Sequence, residues 1–346
     1  MAQTLGVGII GGGLATQAIH LPTLARLDDR FRVVRIMDID ATTAANVAAR
    51  CGATAVASAN DIFDDSAVDV VAICSPHGFH AEQAIAACRA GKRLVLIEKP
   101  LAATREEALE IAHTVKETGT RVVVGAMHVY DPAYRAARAA WTETRDEARH
   151  VHSAIFLPTN DHFIDQAADR VQLPPPPARP RSNPDDPVVQ AGMLRAAILG
   201  LAIHNLPLVR SFIEEIDSLV SARFLPPFGY EMSFAGGGRS ACLVAMMPGT
   251  WAPHWALRVV GRTHELHASF PPSYVLAGSS RCAVRAPDRI IAFEHGESGY
   301  EAMWRHAHAL AIGSEQPHAA LDEIVADLNY ALDLADRVDG FLGLKP

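Results

Sequence analysis

The sequence predicts an α/β chain in which an N-terminal doubly wound parallel sheet precedes an α+β domain with an open, mostly antiparallel sheet. Three observations carry that expectation. Up to residue 126, short apolar runs rich in Val and Ile alternate with Ala-rich stretches, the pattern of strands buried on both faces between crossover helices. The Ala-rich stretches end on Gly, the common helix C-cap. From about residue 150 the apolar runs lengthen and alternate with polar residues, as in strands with one exposed face. A chain of 346 residues is long for one core, so two domains are expected, 1–126 and 127–346.

The first domain's strands are expected at "LGVGII" (5–10), "FRVVRIMD" (31–38), "VDVVAIC" (68–74), "RLVLIE" (93–98) and "RVVVGA" (121–126). Between them, "ATTAANVAARCG", "HAEQAIAACRAG" and "TREEALEIAHTVKETG" read as helices. "DPAYRAARAAW" (131–141) is a further short helix that Asp131 and Pro132 would start well. The second domain's strands are expected in "RHVHSAIFLP", "SLVSARFLP", "SACLVAMMP" and "HWALRVVGRTHELHASF". Residues 173–187, "LPPPPARPRSNPDDP", suit neither helix nor sheet and are expected to form an extended loop or arm.

Apolar content of 49% and a mean hydropathy of +0.09 describe an ordinary globular protein. A net charge of -8, with no Lys/Arg block, argues against a nucleic-acid groove or an anionic membrane and for a small-molecule ligand. The five cysteines are unclustered, as free thiols of a reducing cytoplasm would be. No signal-like segment opens the chain and no apolar run approaches the roughly 20 residues of a membrane span, so a cytoplasmic, unprocessed protein is expected. No H-x-x-x-H or Cys/His cluster stands at ligand spacing on one element, so no catalytic metal is expected. Nor is there a G-x-S-x-G nucleophile motif.

"GVGIIGGGLATQAIHLP" sets Gly11, Gly12 and Gly13 between the first strand and a helix. Gly11 would allow the tight turn, and Gly13 a close approach of backbone to a pyrophosphate at the helix N-terminus. Thr16 stands where the dinucleotide fingerprint asks for Gly or Ala, a mild defect. The second strand ends at Asp38, where an acid would hold the adenosine ribose hydroxyls. With Asp40 nearby it would repel a 2′-phosphate, favouring NAD over NADP. Otherwise Asp38 is a capping or solvated carboxylate.

The glycine turn, "CSPHGFH" (74–80), "AGKRLVLIEKPLA" (90–102) and "DPAY" (131–134) together resemble the Gfo/Idh/MocA oxidoreductases. The resemblance covers the first domain in order and spacing. It is looser over the second, at "ILGLAIHNLPLVRSFI" (198–213) and "LRVVGRTHELHASF" (257–270). It implies a Rossmann domain that binds NAD through Gly11, Gly13, Leu14, Asp38, Ser75, Pro76, His80 and Glu98. It also implies that Lys99 of E-K-P stands beside the nicotinamide and contacts the reacting hydroxyl or carbonyl, with Lys99-Pro100 often cis. Lysine starts near pKa 10.4, and burial next to a cationic cofactor would lower it toward usefulness. The bland alternative for Lys99 is an ion pair with Glu98.

His204 is the second catalytic candidate, with a satisfied core histidine as the alternative. The family pattern has an aspartate one helical turn before it, and this chain has Gly200 there. Pro207 would break the helix beside His204, with Asn205 capping a restarted helix. His77, His128, Tyr130 and His162 are weaker candidates. The resemblance implies an NAD(H)-dependent oxidoreductase that interconverts a secondary alcohol and a ketone on a sugar, inositol or similar polyol. Substrate would lie between the nicotinamide and the second domain's sheet, and a homodimer or homotetramer would form through that sheet. The rival readings are an NAD-retaining lyase or glycosidase on the same scaffold, and a non-catalytic NAD-binding sensor.

Overall fold

A computed structural model describes residues 3–167, 170–174, 183 and 186–343. The chain divides into two compact units. The first comprises 1–126 with 164–175 and 300–328, the second 127–163, 176–299 and 329–346. Most of the proline-rich stretch expected to form an arm lies outside the described residues.

The first unit holds a six-stranded parallel sheet. Its strands are β1 (Leu5–Ile10), β2 (Phe31–Met37), β3 (Thr54–Val56), β4 (Val70–Ile73), β5 (Leu94–Ile97) and β6 (Arg121–Val124). Their order is β3-β2-β1-β4-β5-β6, so the sheet reverses direction of growth between β1 and β4. Every residue of β1, β4 and β5 is buried, which is why these runs show no polar alternation. The helices Ala41–Cys51 and Arg105–Thr118 end at Gly52 and Gly119 with φ of 69° and 73°, left-handed positions that disfavour side chains. Thr104 and Glu107 form a capping box that starts the second of these. The edge strand β3 was not among the expected strands.

In the second unit eight strands form one mixed sheet. They are β7 (His150–Phe156), β8 (Ser218–Phe224), β9 (Gly229–Gly236), β10 (Arg239–Met246), β11 (His254–Val260), β12 (Glu265–Ser269), β13 (Arg281–Arg285) and β14 (Ile290–Phe293). The order is β14-β13-β12-β11-β7-β10-β9-β8, antiparallel throughout except for β7 with β10. Burial alternates along β9 and β10, as a sheet covered on one face requires.

One expectation needs correction. The stretch Pro187–His204 has a hydropathy of 1.4 over 18 residues and so matches a membrane span by length and composition. Packing accounts for its apolarity. Its helix ends at Gly200, and Ala191, Leu194, Ala197 and Ile198, spaced three and four apart, are buried where the helix meets β8 and β9.

Asp146 ties the β11–β12 hairpin to the residues just before β7. Its carboxylate accepts from the backbone N–H groups of Arg262 (3.1 Å), Thr263 (2.9 Å), His264 (2.8 Å) and Glu147 (3.0 Å). Burial raises its carboxyl, but these donors prevail and hold it down at about 2. The folded value lies below the ordinary value of about 3.9, so its stabilisation is complete above that pH and is lost as pH falls toward 2. Asp146→Ala should cost about 2–3 kcal/mol near neutrality. Urea unfolding should show that deficit shrinking between pH 4 and pH 2.

Candidate functional site

The loops at the carboxyl ends of β1, β2, β4 and β5 gather nine of the ten expected site residues in the first unit. Gly11 has φ of +98°, and a Cβ there would lie 2.6 Å from the Cys74 carbonyl oxygen just past β4. Both the dihedral and the space demand glycine. The Asp38 carboxylate accepts from Gly12 N–H at 2.7 Å and Asp40 N–H at 2.9 Å. An ionised carboxylate has about four acceptor positions, so capacity for ribose hydroxyls remains. Gly13 is different from Gly11, because a Cβ there would meet nothing within 4 Å. Open space beside Gly13 and Leu14, at a helix start, fits a pyrophosphate. Asp40, for its part, turns back to cap its own helix through Thr43.

Thr16 is better than the defect its type suggested. It is fully buried, and its hydroxyl donates to the Gly11 carbonyl at 2.5 Å. Gln17 adds a second tie, donating from Nε2 to the Gly12 carbonyl at 2.8 Å. Residues Thr16–His20 form a π turn.

At the ends of β4 and β5, the Ser75 hydroxyl donates to Gln83 Oε1 at 2.6 Å, and Pro76 leads into a short 3-10 turn, His77–Phe79. His80 is fully buried. Its Nδ1 lies 2.7 Å from the Pro100 carbonyl and its Nε2 2.9 Å from the Ser75 carbonyl, so the ring joins the two loops. His77 is exposed, and partial desolvation, followed by the charge of Lys99, lowers its pKa.

Lys99 is partly buried and its peptide to Pro100 is cis. Burial lowers the Lys99 amine below the usual lysine range, while the Glu98 charge opposes the shift. The Glu98 carboxylate accepts from the Lys99 backbone N–H at 3.1 Å and contacts His20 Nε2 at 2.9 Å. His20 is fully buried, and its Nδ1 accepts the Trp304 indole N–H at 3.2 Å. Burial raises the Glu98 carboxyl, but the hydrogen bond from His20 and the charge and backbone N–H of Lys99 bring it below the usual range. A Cβ at Gly125 would sit 2.8 Å from Glu98 Oε1, so glycine there leaves room for this carboxylate. Sequence reasoning missed His20, Trp304 and Gln17. A histidine and a glutamine inside an otherwise apolar helix were the available signal.

His204, the tenth residue, belongs to the second unit. It ends a 3-10 turn, Ala202–His204, is 8% exposed, and packs edge-on to Trp255 at 5.2 Å. The helix does break as Pro207 requires, with Pro207 at the start of Leu206–Arg210. Asn205, however, makes no side-chain cap. Its Oδ1 takes His128 Nδ1 and the Trp255 indole N–H, each at 3.0 Å, and its Nδ2 donates to Ser153 Oγ at 2.8 Å. A fully buried amide is better satisfied by these fixed partners than by an exposed turn. His128 stacks on Phe270 at 4.0 Å, and burial pushes its ring down to about 4. At Gly200 a Cβ would make only ordinary contact with Phe228, so packing does not demand the glycine that replaces the family aspartate. Tyr130 is buried and His162 exposed on the helix Asn160–Ala167.

His306, Glu315 and His318 come together in the first unit, a grouping that spacing along one element did not reveal. Both His306 nitrogens are engaged within it, Nδ1 with Glu315 at 3.0 Å and Nε2 with the His318 N–H at 3.2 Å.

A parallel sheet of this order, a glycine turn at its reversal point and an acid at the end of β2 define a Rossmann protein of the NAD(P)-binding class. Residues 5–126 match the sequence model of the Gfo/Idh/MocA family, described as an oxidoreductase family with an NAD-binding Rossmann fold. Inositol 2-dehydrogenase 3 of Saccharopolyspora erythraea is 41% identical over 172 residues, which is 48% of this chain and 50% of that protein. The chain thus matches half the length of that curated relative. Among solved structures, UDP-N-acetylglucosamine 3-dehydrogenase of Acidithiobacillus ferrooxidans shares the fold with a TM-score of 0.71 at 19% identity, over 98% of this chain and 99% of that one. A 3-ketoreductase of Actinomadura kijaniata in complex with TDP-benzene and NADP gives a TM-score of 0.70 at 19% identity, over 94% and 95%.

The two glycines make opposite predictions. Gly11→Ala should lower the melting temperature through a cost of roughly 1–3 kcal/mol, whereas Gly13→Ala should leave it within about a degree, since a few tenths of a kcal/mol shifts a domain this size little. Thermal denaturation followed by circular dichroism checks both.

Proposed function

We propose that the protein is an NAD(H)-dependent oxidoreductase that interconverts a secondary alcohol and a ketone on a sugar, inositol or similar polyol. The observation that carries this reading is Lys99, an amine lowered by burial, on the loop that leaves β5 at the sheet's cofactor end. Residues 1–126 serve as the cofactor domain, and 127–346 supply substrate binding and oligomerisation. When bound, the cofactor supplies hydride exchange with the substrate carbon. In the oxidative direction Lys99, as the free amine, accepts the hydroxyl proton while the C–O bond becomes a carbonyl, and in reduction the ammonium returns it. His204 contributes a hydrogen bond to substrate. The open face of the eight-stranded sheet pairs copies of the chain into a dimer or tetramer, which sedimentation equilibrium tests.

Asp38 supports NAD(H) over NADP(H), because its carboxylate has acceptor capacity for a ribose diol and would oppose a 2′-phosphate. Beside it Ile39 is 97% exposed, an apolar surface suited to an adenine ring. Calorimetry should find NAD(H) tighter than NADP(H), with Asp38→Ala narrowing the difference. Equal or tighter NADP(H) binding would remove the assignment. Gly13→Ala should lose cofactor affinity at unchanged melting temperature.

A screen of sugars and polyols for NADH formation identifies the substrate. On it, Lys99→Met should lower kcat about a hundredfold or more while cofactor binding stays nearly intact. Oxidation should also quicken with rising pH through a midpoint below the ordinary lysine value, since only the neutral amine accepts a proton. No carboxylate stands one turn before His204, so His204→Asn should cost less kcat than Lys99→Met and appear partly in KM. The reverse ranking would make His204 the principal acid/base.

A further inference from the structure

Resting on the role proposed for Lys99, we infer that His20 and Glu98 form a positioning pair for that lysine. His20 fixes the buried Glu98 carboxylate, and that carboxylate sets both the course of the β5 loop and the proton affinity of the Lys99 amine.

The direction of each hydrogen bond follows from chemistry. An indole N–H can only donate, so the contact from Trp304 at 3.2 Å requires a lone pair on His20 Nδ1. The neutral ring then carries its proton on Nε2 and donates it to Glu98 Oε1 at 2.9 Å. Burial lowers the proton affinity of this ring, and Cys74 and Glu98 raise it by more. That net rise favours a second proton, but the proton would have to sit on Nδ1 and break the bond from the Trp304 indole N–H, so with that bond in place the charge of the pair stays on the carboxylate. The other oxygen, Oε2, accepts the backbone N–H of Lys99 at 3.1 Å. Glu98 therefore has a fixed partner on each oxygen, and Gly125 leaves it room.

A carboxylate held there acts on Lys99 in two ways. Its bond to the Lys99 N–H fixes where the loop departs from β5. Its charge opposes the lowering of the amine by burial, so the lysine retains enough basicity to take a proton. Trp304 is fully buried and packs edge-on to Phe31 at 5.1 Å and to His20 at 5.8 Å, which holds the donor end of the chain still. The π turn Thr16–His20 lies in the helix that opens at the glycine turn and ends at the residue that holds Glu98. The phosphate cradle and the lysine are thus supported from one helix.

The test reads Lys99 directly in the full chain without cofactor. Reductive methylation with a 13C label, with Lys99 assigned by Lys99→Met, gives its titration midpoint by NMR. Glu98→Gln keeps the shape and removes the charge, and the midpoint should fall by about one pH unit or more. His20→Leu removes the donor and should also lower it, because Glu98 then holds its proton more readily. His20→Gln should restore the wild-type midpoint, since its amide donates to Glu98 and accepts from Trp304. If His20→Leu does not fold, Glu98→Gln and His20→Gln carry the comparison. Unchanged midpoints in Glu98→Gln and His20→Leu would overturn the inference, as would a His20→Gln midpoint as low as that of Glu98→Gln. On the true substrate, His20→Leu should lower kcat about tenfold or more, the scale of a misplaced catalytic group, with little change in cofactor binding. If no sugar or polyol is turned over but the midpoints move as stated, the dehydrogenase reading fails and the positioning pair stands.

Discussion

A parallel sheet brings the carboxyl ends of its strands to one edge, and there the loops press on one another. In this protein the turn after β1 closes on the residue that follows β4, where a side chain at Gly11 would strike the Cys74 carbonyl. The loops meet this crowding by satisfying one another's polar groups. Asp38, at the end of β2, takes the Gly12 N–H, Thr16 takes the Gly11 carbonyl, and His80 spans the carbonyls of Ser75 and Pro100. A buried backbone group without a partner costs as much as a lost hydrogen bond. These ties are therefore what lets the edge be irregular and rigid together. Rigidity of that kind is the requirement of a site that must hold a cofactor and a proton-transfer group in fixed relation.

The second unit solves a related problem by different means. Its most apolar helix ends at Gly200, seven residues before the Pro207 that opens the next one, and the break between them leaves an amide, Asn205, wholly inside. Three side chains satisfy it, His128, Trp255 and Ser153. His128 can donate there without bringing charge into the core, because burial keeps its ring neutral at ordinary pH. Asp131 does similar work nearby. It caps its own helix through Tyr134 and accepts from Ser280 by both backbone and hydroxyl. The "DP" sequence that marks a helix start thus also anchors the approach to β13.

Much of this was legible beforehand, for reasons that can be named. Five of the six strands of the first sheet were visible: β1, β4 and β5 are buried throughout and carry no polar residue, and β2 and β6 are Val/Ile runs whose arginines sit at exposed or half-buried positions. The sixth, β3, is three residues long and sits at an edge, so its composition differs little from a loop. β9 escaped notice because it follows a proline pair and alternates small with large residues, and β13 and β14 because they are short. The positions of the glycine turn, Asp38 and Lys99 were readable since they depend on backbone geometry or on strand ends, both local in sequence. His20 was not. Its role depends on Glu98, 78 residues away, and on Trp304, 284 residues away. Asn205 was misread for the same reason. A polar residue before a proline is a sound cap in isolation, and only the tertiary neighbours, His128, Trp255 and Ser153, reveal the stronger claim on its amide.

The adjacent residues Glu98 and Lys99 show how one environment produces two opposite effects. Burial disfavours charge on either side chain. Glu98 overcomes this through hydrogen bonds on each oxygen, which favour the ionised form. Burial lowers the Lys99 amine and the Glu98 charge opposes it, so that its proton is held less firmly than in water. A fully compensated lysine would keep its proton and be of little use as a base, and an uncompensated one would be neutral and weakly basic. The carboxylate at one remove gives an intermediate affinity, which is what a residue must have if it is to take a proton in one direction of a reaction and return it in the other.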